Sequence, residues 1–180
     1  MKETEVKILE VDRRKIEDTL TKLHAKKIFD GDLQTIFLDF KDNRITNQGN
    51  LLRLRTKSEK AELTFKKVKH NQQVKVAQEY SVEVSDQQAM IQILENIGLS
   101  VTGKMEKHRL SYKLENAQFD IDQYCGDYSF IPEFLEIEAE NISQIHKYAE
   151  ALGFKPKDCL PWSTEELIQH YNALNEKSEK

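Results

Sequence analysis

Cysteine, proline and glycine are all scarce in this chain: two Cys, three Pro and six Gly among 180 residues. Cys125 and Cys159 lie in unrelated contexts without a CxxC spacing, so neither a disulfide framework nor a cysteine-ligated zinc site is expected. Both read as reduced structural thiols. Also missing are a glycine-rich phosphate loop, a GxSxG nucleophile turn and any Cys/His nucleophile context. No stretch approaches the roughly 20 apolar residues of a membrane span, and the start MKETEVK lacks the apolar run of a signal peptide. A cytoplasmic protein without a membrane partner is the expectation. Neither sign of charge dominates: 27 Lys+Arg against 31 Asp+Glu leave a net charge of −4, so no global field draws the chain to nucleic acid. A polyanion would have to be bound locally. His24, His70, His108, His146 and His170 show no ligand spacing and read as surface or structural.

What the chain has in abundance is alternation. In ETEVKILEV, Val6 and Ile8 oppose the charged set, and Asp12 can cap a helix reaching about His24 with Ile16, Leu20 and Leu23 on one face. EYSVEVSD leads in the same way into QQAMIQILENIG, with Ser85 and Gln88 as a capping box and Gly98 as a stop. FLEIEAENIS leads into QIHKYAEALGF, whose apolar face is Ile145, Tyr148, Ala149 and Leu152. Between these three strand-and-helix units, QTIFLDF, NLLRLRTK, AELTFKKV, KHRLSYKL and AQFDIDQY read as strands, about eight in all. LTFKKVKHNQQVKVAQ reads as a mobile hairpin. PWSTEEL opens a last helix, with Ser163 and Glu166 as a capping box and Trp162 and Leu167 as a hydrophobic staple. The length suits one domain, expected over 1–174 with a loose tail at 175–180.

Alternate residues of a strand share a face. Lys7 shares its strand face with Glu3 and Glu5; Arg53 and Arg55 oppose Leu52 and Leu54; Lys66 opposes Phe65; Lys107 and Arg109 oppose Leu110. Acidic pairs come from other strands: Asp120 with Asp122, Glu136 with Glu138. One such pair marks only a solvated face, as on any half-exposed antiparallel sheet. Five pairs segregated by sign point instead to a lumen: a barrel of about eight strands holds side chains or one small ligand. Arg and Lys suit a linear polyphosphate. Carboxylates beside phosphate require a divalent cation between them, and Mg²⁺ or Mn²⁺ prefers shared oxygen ligands. Glu79 is read as facing the lumen, Glu83 and Glu140 as solvent or helix-terminus residues, and Tyr112, Tyr124 and Trp162 as core.

In order, EtEvK, LRLR, LTFK, KxR, IDQY and FLEIE resemble the signatures of the CYTH superfamily over about residues 1–171. That superfamily is named for class IV adenylate cyclases and thiamine triphosphatases, and its members are also called triphosphate tunnel metalloenzymes. The resemblance implies an α+β fold: an eight-stranded antiparallel β-barrel with helices packed outside. It implies that Lys7, Arg53, Arg55, Lys66, Lys107 and Arg109 grip a triphosphate, and that Glu3, Glu5, Asp122, Glu136 and Glu138 serve a Mg²⁺ or Mn²⁺ site. The expected activity is metal-dependent hydrolysis of tripolyphosphate, thiamine triphosphate or a nucleoside triphosphate; the alternative is conversion of ATP to cyclic AMP and pyrophosphate. A homodimer is left open. Three positions depart from the pattern: Ser81 stands where an acid is expected, Phe37 replaces a tyrosine-containing motif, and IDQYCGDYSFIPEFLEIE is longer than the usual link.

Overall fold

The computed structural model describes residues 2–58, 60–70 and 75–178; at 2, 3, 68–70, 75–77, 177 and 178 only the backbone path is described. In chain order the elements are β1 (Lys2–Ile8), α1 (Arg13–Lys22), β2 (Lys26–Phe40), β3 (Asn50–Lys57), β4 (Lys60–His70), β5 (Lys75–Val84), α2 (Gln87–Asn96), β6 (Leu99–Leu114), β7 (Ala117–Tyr124), β8 (Phe134–Ala139), α3 (Ile142–Ala151) and α4 (Thr164–Ser178). Every strand pairing is antiparallel, and the spatial order β1-β5-β4-β3-β2-β6-β7-β8 closes because β1 pairs with both β5 and β8. The expected eight-stranded barrel with outer helices is therefore the fold.

Two of the three apolar clusters lie outside the barrel, between sheet and helices, while the third, around Tyr124 and Phe134, has lumen parity and is covered by α4. Ile16 and Leu20 of α1 and Ile145, Tyr148 and Ala149 of α3 pack on Val6, Ile8, Leu110, Phe119, Ile121, Leu135 and Ile137. Leu94 of α2 packs on Leu38, Leu54 and Leu99, and Leu167 and Tyr171 of α4 pack on Tyr124, Ile131 and Phe134. With one strand face committed to this shell, the other face of every strand is left to the lumen.

Several local expectations hold and others need correcting. Asp12 caps α1 through the Lys15 amide, and Ser163 and Glu166 form the reciprocal box at α4. At α2 the cap is Asp86, not Ser85: the carboxylate accepts the Ala89 amide at 2.9 Å. α2 and α3 end at Gly98 and Gly153 with positive φ, whereas α1 stops at Lys22 with His24 itself in the left-handed region. β2 begins at Lys26 rather than near Gln34, and β6 at Leu99 rather than Lys107, because the two strands pair over nearly their whole lengths. Asp30, Gly31 and Asp32 are part of that paired length. β4 and β5 form the anticipated hairpin up to His70 opposite Lys75, and its tip at 71–74 lies outside the described residues. α4 continues past Leu174 to Ser178 on the strength of its backbone bonds, with an exposed face from Asn172.

Residues 41–49, between β2 and β3, are pinned by one carboxylate. Asp39 is buried and accepts four hydrogen bonds: the amides of Phe40 (2.7 Å), Ile45 (3.0 Å) and Thr46 (2.9 Å) and the Thr46 hydroxyl (2.7 Å). Burial would raise its pKa, but these donors outweigh it and hold the carboxyl below its ordinary value. A carboxyl depressed in the folded state adds stability above the unfolded pKa, which is lost as pH falls through the folded value. Asp39→Ala strands buried donors and should cost about 2 to 4 kcal/mol by urea denaturation at neutral pH, less in acid. A loss below about 0.5 kcal/mol would show that water replaces the carboxylate.

Candidate active site

The lumen is a cavity of about 380 Å³. Arg53, Arg55, Lys66, Lys107 and Arg109 line it from β3, β4 and β6, and Lys7 from β1. Glu5, Glu79, Asp120, Glu136 and Glu138 line it from β1, β5, β7 and β8. The mouth is formed by Thr46, Gly49 and Asn50, by Ser163 and by the first residues of α4, Thr164 and Glu165. The latter reach the cavity because Leu160 pairs with Lys7 through two backbone hydrogen bonds of 2.8 Å. No local pattern announces that contact.

Most cations are matched to acids. Lys7 meets Glu136 at 2.8 Å. Burial alone would depress the Lys7 ammonium, but Glu136 and Glu5 hold its pKa above the ordinary value. Arg109 spans Asp122 (2.6 and 2.5 Å), Asp120 (2.5 Å) and Glu136 (2.5 Å). Burial is again outweighed, here by those carboxylates, so the Arg109 pKa lies well above its usual value. Lys107 pairs with Asp122, yet burial and the neighbouring Arg109 push its pKa down to about 8. Glu136 is held well below the carboxylate range: burial would raise it, and Lys7, Lys107 and Arg109 overcome that. Burial raises Asp120, which Arg109 only partly offsets. Lys66 takes Glu79, leaving Arg53 3.8 Å from the same carboxylate.

Two guanidiniums are under-partnered. Arg55 has a long hydrogen bond to the Thr35 hydroxyl (3.4 Å), and among the described residues no carboxylate lies within ion-pairing distance of it. Burial, with Arg53 and Arg109 nearby, pushes its pKa down to about 10. Arg53 is depressed by burial too, and its Nε is buried without a hydrogen-bond partner among the described residues. These adjacent cations share one face and form the part of the lumen most in need of an anion.

The acids divide by depth. Asp122 is fully buried, does not line the cavity and has both oxygens engaged by Arg109 and Lys107. Asp120 lines it, held by Arg109 and Gln118. Glu5 and Glu138 face one another directly across β1 and β8, a like-charge pairing that a cation between them would favour. Among the described residues no three of His, Cys, Asp and Glu converge closely enough to hold an ion unaided. Glu5, Glu136 and Glu138 do offer carboxylate oxygens to the lumen, the donor type that a hard divalent ion takes together with waters and phosphate oxygens. Glu3 occupies the same strand face of β1, but its side chain lies outside the described residues. Ser81 faces the lumen wall in a hydroxyl pair with Thr64 at 2.9 Å, and Glu83 is exposed. His108 lies on the outer face, bridging Asp30 and Asp32.

Residues 1–179 match the family model described as the CYTH domain. The chain is 27% identical over 175 residues to a Methanocaldococcus jannaschii protein named, provisionally, as an adenylate cyclase, spanning 97% of this chain and 90% of that one. A solved Pyrococcus horikoshii protein superposes with a TM-score of 0.76 at 26% identity, covering 92% of this chain and 99% of its own. A Hippeastrum protein, provisionally an adenylyl cyclase and described as having a dominant triphosphatase activity, superposes with a TM-score of 0.68 at 14% identity over 93% of this chain and 95% of that one. At that identity the likeness shows the fold alone.

Proposed function

The chain belongs to the CYTH family, which comprises triphosphatases and class IV adenylate cyclases, and from that premise we propose that it hydrolyses triphosphates in its barrel lumen. The observation that carries this reading is the pair Arg53 and Arg55: two under-partnered, half-buried guanidiniums on one face of a lumen also lined by carboxylates. Arg forks match phosphate oxygens bidentately, so Arg53 and Arg55 take the phosphate chain first. Lys66 and Lys107 add charge, and Lys7 pairs with Glu136 on the neighbouring strand. Phosphoryl transfer asks mainly for positioning and for charge stabilisation in a water-poor site.

Glu5, Glu136 and Glu138, with Glu3 on the same strand face, would hold the divalent ion that enzymes of this family generally use, Mg²⁺ or Mn²⁺. When bound, that ion supplies charge neutralisation on the phosphates and a polarised water. Asp122 is assigned a different part: as buried counter-ion to Lys107 and Arg109 it orients both. In the cyclase alternative the same walls hold ATP while the ribose hydroxyl attacks the inner phosphorus; the name of the 27% identical relative favours keeping it.

Incubation with tripolyphosphate, thiamine triphosphate and nucleoside triphosphates, each with Mg²⁺ and Mn²⁺, separates the readings by product: orthophosphate for hydrolysis, cyclic nucleotide with pyrophosphate for cyclisation. Absence of turnover across the panel ends both. Arg55→Ala should weaken triphosphate binding by about 1.5 to 3 kcal/mol, the value of a charge-assisted contact, while His108→Ala on the outer face leaves it unchanged. Equal calorimetric affinity of folded wild type and Arg55→Ala would remove Arg55 from the clamp.

A further inference from the structure

We propose that Glu136 is a resident anion of the cationic clamp: it competes with the triphosphate for Lys7, and that arm of the clamp stays closed until Glu136 turns to a divalent cation. This rests on the triphosphate reading above and deepens it by placing an autoinhibitory contact inside the lumen. The lumen cations are not equally available. Arg53 and Arg55 are short of counter-ions. Lys7 and Arg109 are not, and one carboxylate serves both, with Glu136 Oε1 2.8 Å from the Lys7 ammonium and Oε2 2.5 Å from the Arg109 guanidinium. Lys7 is 1% exposed, and among the described residues Glu136 is the carboxylate within ion-pairing distance of it.

The backbone leaves exchange of partners as the way to Lys7. Lys7 is in register with Glu136 across β1 and β8, and its amide and carbonyl are both bonded to Leu160 at 2.8 Å. β1 therefore cannot carry the ammonium toward a ligand without breaking those bonds, and a phosphate reaches it by taking the place of the Glu136 carboxylate. The two cations respond differently to that exchange. Arg109 keeps Asp120 and both oxygens of Asp122. Lys7 loses its ion pair and, being buried, requires another anion, since an uncompensated buried charge is costly. The same carboxylate is among those offered to a divalent ion, yet each of its oxygens already faces a cation. A free ion and a free triphosphate are thus both opposed by the Lys7–Glu136 pair, whereas together they replace both halves of it. Binding of either favours binding of the other, a reciprocal coupling.

The test is calorimetry of the full chain with imidotriphosphate, whose P–N–P bridges resist hydrolysis, in excess chelator and again with Mn²⁺. Lys7→Gln should stay within about threefold of wild type in chelator, where Glu136 holds Lys7, and should lose about tenfold to a hundredfold with Mn²⁺. Glu136→Gln should gain about tenfold in chelator, because Lys7 is released to the phosphates. Glu138→Gln deletes the same charge two residues along the same strand face and leaves the Lys7–Glu136–Arg109 bridge in place, so it should gain less than about threefold. The gain of Glu136→Gln should vanish in the double variant Lys7→Gln/Glu136→Gln, as direct coupling of the pair requires. The proposal is overturned if Lys7→Gln loses the same factor in both conditions, or if Glu136→Gln gains no more than Glu138→Gln. Should Glu136→Gln not fold, Lys7→Gln decides alone across the two conditions. Failure of wild type to bind the analogue even with Mn²⁺ is a different outcome: it ends the triphosphate reading itself, and this inference with it.

Discussion

Glu138→Gln should lose at least about a hundredfold in metal-dependent triphosphate turnover, since even groups that only support a metal ligand cost 10- to 100-fold when removed. The substitution keeps size and hydrogen-bonding reach and deletes one negative charge. Glu138 sits directly opposite Glu5 across β1 and β8 and beside Gln118 of β7, so the change relieves a like-charge cross-strand contact worth roughly 0.2 to 1 kcal/mol. The thermal midpoint should therefore stay level or rise by up to about 3 °C. Loss of activity with retained or raised stability marks a charge kept for binding a cation. Excess chelator should silence wild type, and added Mg²⁺ or Mn²⁺ should restore it. Full activity of Glu138→Gln at saturating metal, or wild-type turnover undiminished by chelator, would end the assignment.

Arg109→Ala should have the largest effect on stability. One guanidinium holds Asp120, Asp122 and Glu136 in a largely buried cluster. Breaking such a network by removing one partner costs about 3 to 5 kcal/mol, because the remaining charges stay buried without compensation. The pH dependence identifies the cause. Arg109 is among the groups that lower both Asp120 and Glu136, so without it both carboxyls rise, and Asp120, already raised by burial, rises further. A carboxyl with a folded pKa above its unfolded one binds more protons in the folded state, so the variant gains stability as pH falls through the raised value. Wild-type Glu136 behaves oppositely: its depressed carboxyl contributes above the unfolded pKa and loses that contribution in acid. The gap between wild type and Arg109→Ala should therefore narrow from pH 8 to pH 5 in urea titrations. A constant gap would mean that lost packing, not uncompensated charge, is responsible.

Much of the fold was legible because it is written in local periods. Val6 and Ile8 against Lys7, Leu52 and Leu54 against Arg53 and Arg55, and Ile137 between Glu136 and Glu138 each announce a strand with one apolar and one charged face, as a barrel with an outer core requires. The helix caps at Asp12 and Ser163 were readable for the same reason, since a cap acts within three residues. Where strand length depended on a distant partner, local reading stopped short: β2 was expected from about Gln34, but pairing with β6 extends it back to Lys26. Ser85 and Asp86 are both able caps, and the backbone path selects the second.

The sequence by itself determined which residues share a face, and hence that cations and acids can meet in one lumen. Only the tertiary structure decided how they meet. Asp120 and Asp122 have identical parity, yet one lines the cavity and the other lies behind Lys107 and Arg109. Glu79 faces Lys66 rather than standing open, and Arg53 and Arg55 are left short of partners. Phe37 faces Gly103 and the lumen, not the core. Parity is set by the chain's own two-residue repeat, whereas pairing across the lumen depends on strand register and barrel closure, which arise only when residues far apart in sequence are hydrogen-bonded side by side.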